Sequence, residues 1–361
     1  MVDAAQTRPR RHIDTWLLVR ITVGVLIVAF LIWRLWIVFF VEQPYGPDTW
    51  VRFIISGLVL GGVYAVIALG YTLVYGILFM INFAHGDVMM LGAFAGYFTL
   101  EAFNGSGFLN RSVGSSIIAI AITFFVGMSV SLLVAIALER IAYRPLRMAP
   151  RLVPLISAIG ASLFLQNTAQ IMFGAARHTY TNPEILERNT GWTLMIAGED
   201  VLLTYTGVFT FVLSILLMVA LWALVNRTKM GTAMRSVAED KQVAALMGIN
   251  VDRVIVNTFA ISGALAGAAG VMWGLHMGIV YHFVGFVPGL KAFTAAVMGG
   301  IGNIPGAMLG GISLGVMEAV GPPLLGIPFQ LKDVLAFTIL VLVLIFRPTG
   351  LLGEVLAEKK A

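Results

Sequence analysis

The chain has 361 residues, of which 59% are hydrophobic and only 11% charged, where a soluble domain carries about 25% charged residues. Mean hydropathy is +0.93, so apolar side chains exceed what a one-faced core consumes, and most faces must meet an apolar solvent. There is no cysteine, which excludes disulfides and thiolate metal sites.

Other chemistries are also thinly supplied. The five histidines (His12, His85, His178, His276 and His282) are scattered, with no paired ligand spacing, so neither a metal nor a cofactor is expected. No GxxxxGK[ST] phosphate loop occurs, which places any ATP-derived energy source on another subunit. The net charge of +5 would suit nucleic acid, but the basic residues sit at the ends of apolar runs and point to lipid headgroups instead.

A spanning helix needs about 20 apolar residues. In chain order, Arg8, Arg10 and Arg11 precede an apolar stretch over 17–41. It resembles a signal peptide, yet no A-x-A cleavage site follows. A retained helix is expected, with Arg20 and Arg34 snorkelling toward opposite interfaces. Uncharged runs then cover 53–84, 112–138, 152–176, 201–226, 254–290 and 292–317. Shorter runs at 21–33, 88–100 and 334–346 need their flanks to complete a crossing. The expected fold is an all-α polytopic membrane protein of about 8–10 transmembrane helices with broken or re-entrant segments.

Charge orients the bundle. Arg140, Arg144, Arg147 and Arg151 share one connector; Arg227, Lys229, Arg235, Lys241 and Arg253 share another. These, with the N-terminal arginines and Arg347, Lys359 and Lys360, are read as cytoplasmic. The connector 177–200 carries Glu184, Glu187, Glu199 and Asp200 against Arg177 and Arg188, and is read as external. Both termini are then cytoplasmic.

Small residues four apart recur at Gly57/Gly61, Gly92/Gly96, Gly263/Gly267, Gly306/Gly310 and Gly311/Gly315, the spacing that lets helices approach closely in lipid. Two interruptions differ from these. Ile81-Asn82-Phe83-Ala84-His85-Gly86-Asp87 separates a long run from residues 88–100, which rise only about 20 Å. Either that helix starts before Asp87 or it is a half-helix that does not cross alone. Gly299-Gly300-Ile301-Gly302-Asn303-Ile304-Pro305-Gly306 breaks a second apolar stretch. Irregular backbone at membrane depth is tolerated where it lines a cavity, and broken helices present backbone groups to polar substrates. Turns at hairpin ends explain both breaks equally. Asn82, His85, Asp87 and Asn303 are the candidate polar residues of a substrate pathway. Asp87 serves equally as a carboxylate at a helix N-terminus, and His85 as an interfacial hydrogen-bonding residue. The second basic loop offers helix formers over 234–247, stopped by Gly248 and Asn250, a candidate contact helix for a cytoplasmic partner.

Several blocks in order carry a resemblance. The segment Gly57-Leu-Val-Leu-Gly-Gly-Val-Tyr-Ala-Val-Ile-Ala-Leu-Gly-Tyr-Thr-Leu-Val-Tyr-Gly-Ile77 through Ile81–Asp87 is similar to the branched-chain amino acid ABC permeases. So are Tyr143-Arg-Pro-Leu-Arg147, Ile156-Ser-Ala-Ile-Gly160, Ala238-Glu-Asp240 through Gly248-Ile-Asn250, the block Lys291–Gly306 and Arg347-Pro-Thr-Gly-Leu-Leu352. Within the family the likeness is to the H-type permease subunit rather than its M-type companion. It implies a bacterial inner-membrane complex of two permease subunits, two cytoplasmic ATP-binding subunits and a periplasmic amino-acid-binding protein. It makes Ala238, Glu239 and Gly248 part of an ATPase-coupling loop. Residues 51–352 would form the permease domain and 353–361 a cytoplasmic tail, while 1–50, with their extra helix, depart from the family pattern. Branched-chain amino acids are the implied substrates, with urea and short amides as the alternative branch. A self-powered carrier would need more embedded ionisable residues than Asp87, Glu101, Lys291, Glu318, Lys332 and Asp333 near run ends. A membrane-embedded enzyme would need a metal pair or a nucleophile–base spacing.

Overall fold

The computed structural model describes residues 15–353 except Met148, Arg151, Ala197 and Pro348, with side chains from Ile21 onward. The N-terminal arginines, the side chain of Arg20, and Lys359 and Lys360 of the tail lie outside the described residues. Among the described residues the chain forms twelve α-helices: α1 (Thr15–Trp36), α2 (Pro47–Leu78), α3 (His85–Gly105), α4 (Val113–Leu138), α5 (Leu152–Phe173), α6 (Tyr205–Arg227), α7 (Lys229–Glu239), α8 (Lys241–Leu246), α9 (Val251–Met277), α10 (Phe286–Gly299), α11 (Ile304–Leu325) and α12 (Lys332–Phe346). Among the described residues eight helical segments are long and apolar enough to cross a membrane, so the molecule is a multi-pass helical bundle. The α3 helix adds 21 residues, about 31 Å of rise. The α10 helix has 14, about 21 Å, too short to cross a ~30 Å core alone.

The strands are small and form two separate two-stranded sheets. β2 (Gly191–Ile196) and β3 (Glu199–Thr204) form an antiparallel hairpin. β1 (His178–Thr179) pairs with β4 (Ile279–Val280), which follows α9, in the register His178↔Val280. The acidic connector therefore sits with the C-terminal end of α9. At the N-terminal end of α9, Asp252 receives Arg144 at 2.9 Å and Arg147 at 2.6 Å. Arginine-rich and acidic connectors thus occupy opposite ends of the bundle, called here the basic end and the hairpin end.

Glycine decides which helices meet. An added Cβ at Gly57 would lie 2.7 Å from Val316 Cα, and one at Gly61 2.8 Å from Ile312 Cα, while Gly311 and Gly315 face Ala65 and Gly61 in return. The α2–α11 seam is therefore backbone against backbone. Gly267 meets Gly127 and Met128 of α4, and Gly92 of α3 meets Gly267, so α3, α4 and α9 form a second close seam. α2 and α9 are the buried centre of the bundle; α1, with most of its large apolar side chains exposed, and α12, almost none of which is buried, lie at its periphery.

Candidate functional site

The first break folds back into the bundle. α2 ends at Leu78, and Phe79 adopts a left-handed conformation with φ 55°. Residues 79–84 then return the chain so that the His85 ring lies against Gly70, where no side chain beyond hydrogen would fit. Gly70 is eight residues before the end of α2, so α3 begins about 12 Å inside that end. Gly86 packs directly on Gly285 and Gly289, with an added Cβ at Gly289 reaching 2.9 Å from Gly86 Cα. The N-terminal ends of α3 and α10 therefore meet within the bundle.

Three of the four candidate pathway residues stand at this junction, each within 3% exposed. Asp87 accepts a hydrogen bond from Ser162 Oγ at 2.5 Å and from Gln166 Nε2 at 3.0 Å, which ties α3 to α5. Asn82 Oδ1 accepts from Tyr143 OH at 2.5 Å. Ser262 Oγ donates to the Gly70 carbonyl at 3.0 Å and lies 3.4 Å from His85 Nδ1. Tyr71 meets the His85 ring edge-on at 4.7 Å between centroids. These polar groups lie in low dielectric, where a lost partner is costly, and His85 Nε2 is buried without a hydrogen-bond partner. Among the described residues Asp87 forms no ion pair, and no group of three or more His, Asp or Glu could hold a metal.

Asn303 is placed elsewhere. It caps α11, accepting the Gly306 N–H at 3.1 Å, and donates through Nδ2 to the Leu352 carbonyl at 2.8 Å. Leu351 and Leu352 strap this turn at the basic end. Leu351 N donates to Met298 O at 2.8 Å and Leu352 N to Gly299 O at 3.0 Å. Gly300 and Gly302 take φ of +107° and +95°, conformations that favour glycine.

The second basic loop forms two helices where one over 234–247 was expected. Asp240 interrupts it, accepting the N–H groups of Gln242 and Val243 at 2.8 and 3.0 Å; an aspartate at that position stabilises a new helix start more than it favours continuation. Ala238 and Glu239 end α7, and Gly248 follows α8 with φ +83° and open space where a Cβ would stand. Beside the exposed Lys241 and Gln242, α8 and its C-cap present apolar side chains: Val243, Leu246 and Met247 are 54%, 86% and 78% exposed.

Sequence reasoning missed Tyr143, Ser162 and Gln166. Ser162 and Gln166 are four residues apart, hence on one helix face, a signal that was present; Tyr143 reaches Asn82 through a π-helical extension of α4 that no pattern announced.

The family model described as "Branched-chain amino acid transport system / permease component" matches residues 53–344. The high-affinity branched-chain amino acid transport system permease protein BraD of Pseudomonas aeruginosa is 44% identical over 310 residues, covering 85% of this chain and 96% of that protein. LivH of Escherichia coli K12, named for the same system, is 41% identical over 305 residues, covering 84% and 96%. The probable permease LivH of Methanocaldococcus jannaschii is 28% identical over 315 residues, covering 84% and 92%. No solved structure matches. A bundle of spanning helices with two helix ends meeting inside it, over nearly the whole length of such relatives, is a transport permease, and the chain belongs to the branched-chain amino acid transport permease family.

Proposed function

We propose that this chain is one transmembrane half of an ATP-driven importer of branched-chain amino acids in the bacterial inner membrane. The observation that carries the reading is 44% identity to BraD over 96% of that protein's length. Its partners are two cytoplasmic ATP-binding subunits, a second permease subunit of the M type and a periplasmic amino-acid-binding protein, with membrane lipid around the bundle. The basic end is cytoplasmic, as are both termini. Residues 51–352 form the transport domain, and α1 is an addition outside the matched region 53–344.

The mechanism is alternating access. The binding protein delivers substrate at the hairpin end, and ATP binding and hydrolysis on the partners move α7 and α8. Support for this role comes from the exposed apolar side chains of α8 beside the Arg144–Arg147–Asp252 contacts that join the α4–α5 connector to α9. Movement there acts on both helices. The α3 junction of Asn82, His85 and Asp87 is the interior polar station of the path, closed in this conformation; Asn303 holds the turn at its inner end. Neither residue set performs covalent chemistry.

ATP-dependent uptake of labelled leucine tests the reading, in vesicles holding this subunit with its genomic partners and binding protein. Uptake suppressed by unlabelled isoleucine and valine is the expected result. Uptake of urea without leucine uptake would move the substrate to the amide branch, and flux without the ATP-binding subunits would overturn the mechanism.

A further inference from the structure

Four ionisable side chains converge where α10, α11 and α12 meet α2. Lys291 Nζ lies 2.8 Å from Glu318 Oε1 and 2.5 Å from an Asp333 carboxylate oxygen; Lys332 Nζ lies 3.2 Å from the same Glu318 oxygen. Tyr64 OH donates to the other Glu318 oxygen at 3.0 Å. Lys291 and Glu318 are 3% and 2% exposed. Two cations and two anions cancel, so this cluster carries no net charge, and each of its buried charges has a partner in hydrogen-bond reach.

Structural pairing would be complete with Lys291 and Glu318 alone. The other two differ: the side chains of Lys332 and Asp333 are 43% and 45% exposed. They open α12, one turn after Phe329, whose ring packs on Phe53 at 5.7 Å between centroids. Phe53 begins the apolar run of α2, and α12 continues from Lys332 toward the basic end. The two charges therefore stand inside the apolar zone near the hairpin end. Charged side chains at such depth face water or a polar partner rather than hydrocarbon.

The chemistry of the arrangement is specific. Lys332 and Asp333 are successive residues with partly exposed side chains, each ion-paired to a buried opposite charge, Glu318 and Lys291 respectively; the Asp333 oxygen toward Lys291 is itself buried. A zwitterionic α-amino acid presents the complementary pair, its carboxylate to Lys332 and its ammonium to Asp333. Phe329 and Leu331, 46% and 45% exposed in the preceding turn, supply apolar surface for an aliphatic side chain. We propose that Lys332 and Asp333 form an entry subsite for the zwitterionic head of the transported amino acid, with Lys291 and Glu318 as positioning residues. This rests on the amino-acid import reading, and a neutral amide would gain little from such a pair.

The absence of cysteine makes the test direct. Lys332→Cys and Asp333→Cys are each introduced singly, and the assembled complex with its binding protein is placed in vesicles. Both variants should lose leucine uptake by about tenfold, the scale of one charge-assisted contact. Aminoethyl methanethiosulfonate, which restores a cation, should rescue Lys332→Cys, and its sulfonatoethyl counterpart should not. Asp333→Cys should show the opposite preference. Leucine-loaded binding protein should slow labelling of both positions more than the leucine-free form does. Uptake at the unsubstituted rate, equal effects of the two reagents, or labelling indifferent to leucine would each overturn the subsite. Failure of the unsubstituted complex to import leucine would instead overturn the import reading.

Discussion

Replacing Gly61 by alanine should separate α2 from α11, and the structure sets the size of the effect. The new Cβ would stand 2.8 Å from Ile312 Cα and O, and 3.0 Å from Gly311 O. Carbon atoms pack at about 3.5 Å, so the helices must part by roughly 0.7 Å, which forfeits about a third of each contact worth ~0.15 kcal/mol. Over about forty atom pairs the loss is roughly 2 kcal/mol. Alanine returns up to about 1 kcal/mol of helix propensity, leaving a net destabilisation of about 1 kcal/mol. Gly160, inside α5, has nothing within 4 Å of its Cβ position, so Gly160→Ala receives only the propensity gain. The two variants should therefore differ by about 2 kcal/mol, or several degrees in Tm for a chain of this size. Thermal unfolding of the purified chain in lipid nanodiscs, followed through its seven tryptophans, measures the difference. A Gly61→Ala protein as stable as Gly160→Ala would refute backbone contact as the basis of the seam.

The remaining expectations concern transport and assembly. Asp87→Ala leaves Ser162 and Gln166 without their buried acceptor, at a cost of about 1–3 kcal/mol; it and His85→Ala should reduce leucine uptake while the complex still assembles, and normal uptake in both removes them from the path. Gly248→Val places a β-branched residue at φ +83°, costing about 1–2 kcal/mol locally; ATP hydrolysis should persist while uptake falls, and intact coupling would show that the contact lies elsewhere. Leu246→Glu, at an 86% exposed position, should lower the amount of ATP-binding subunit that co-purifies without changing Tm; full recovery of that subunit would dissociate α8 from docking. Asn303→Ala removes the α11 cap, worth about 1 kcal/mol, and the bond to Leu352, so a lowered Tm is expected; an unchanged Tm would mean that Leu351 and Leu352 hold the turn by backbone contacts alone.

Much of the architecture is legible because lipid imposes simple rules. Long uncharged runs must become helices, since unpaired backbone groups are intolerable in hydrocarbon, and the runs at 53–84, 112–138, 152–176 and 201–226 correspond to α2, α4, α5 and α6. Charge asymmetry between connectors placed the two basic loops at one end and the acidic connector at the other. Local chemistry was less decisive where a single polar residue chooses between outcomes. Helix formers over 234–247 pointed to one helix, yet Asp240 caps a second one, because side-chain bonding to free N–H groups competes with helix continuation.

The sequence by itself determined the membrane class, the long apolar runs, the four-residue glycine spacing and the family, all of which follow from residue type at short range. Tertiary structure alone decided which polar residues share a site. Asp87 and Gln166 are 79 positions apart, as are 61 for Asn82 and Tyr143, and Asn303 parts from them to hold a turn. Lys291, Glu318 and Asp333 come from three helices. Such meetings depend on how far a chain folds back at Phe79 and on which glycines let backbones touch, and neither is encoded in any one segment.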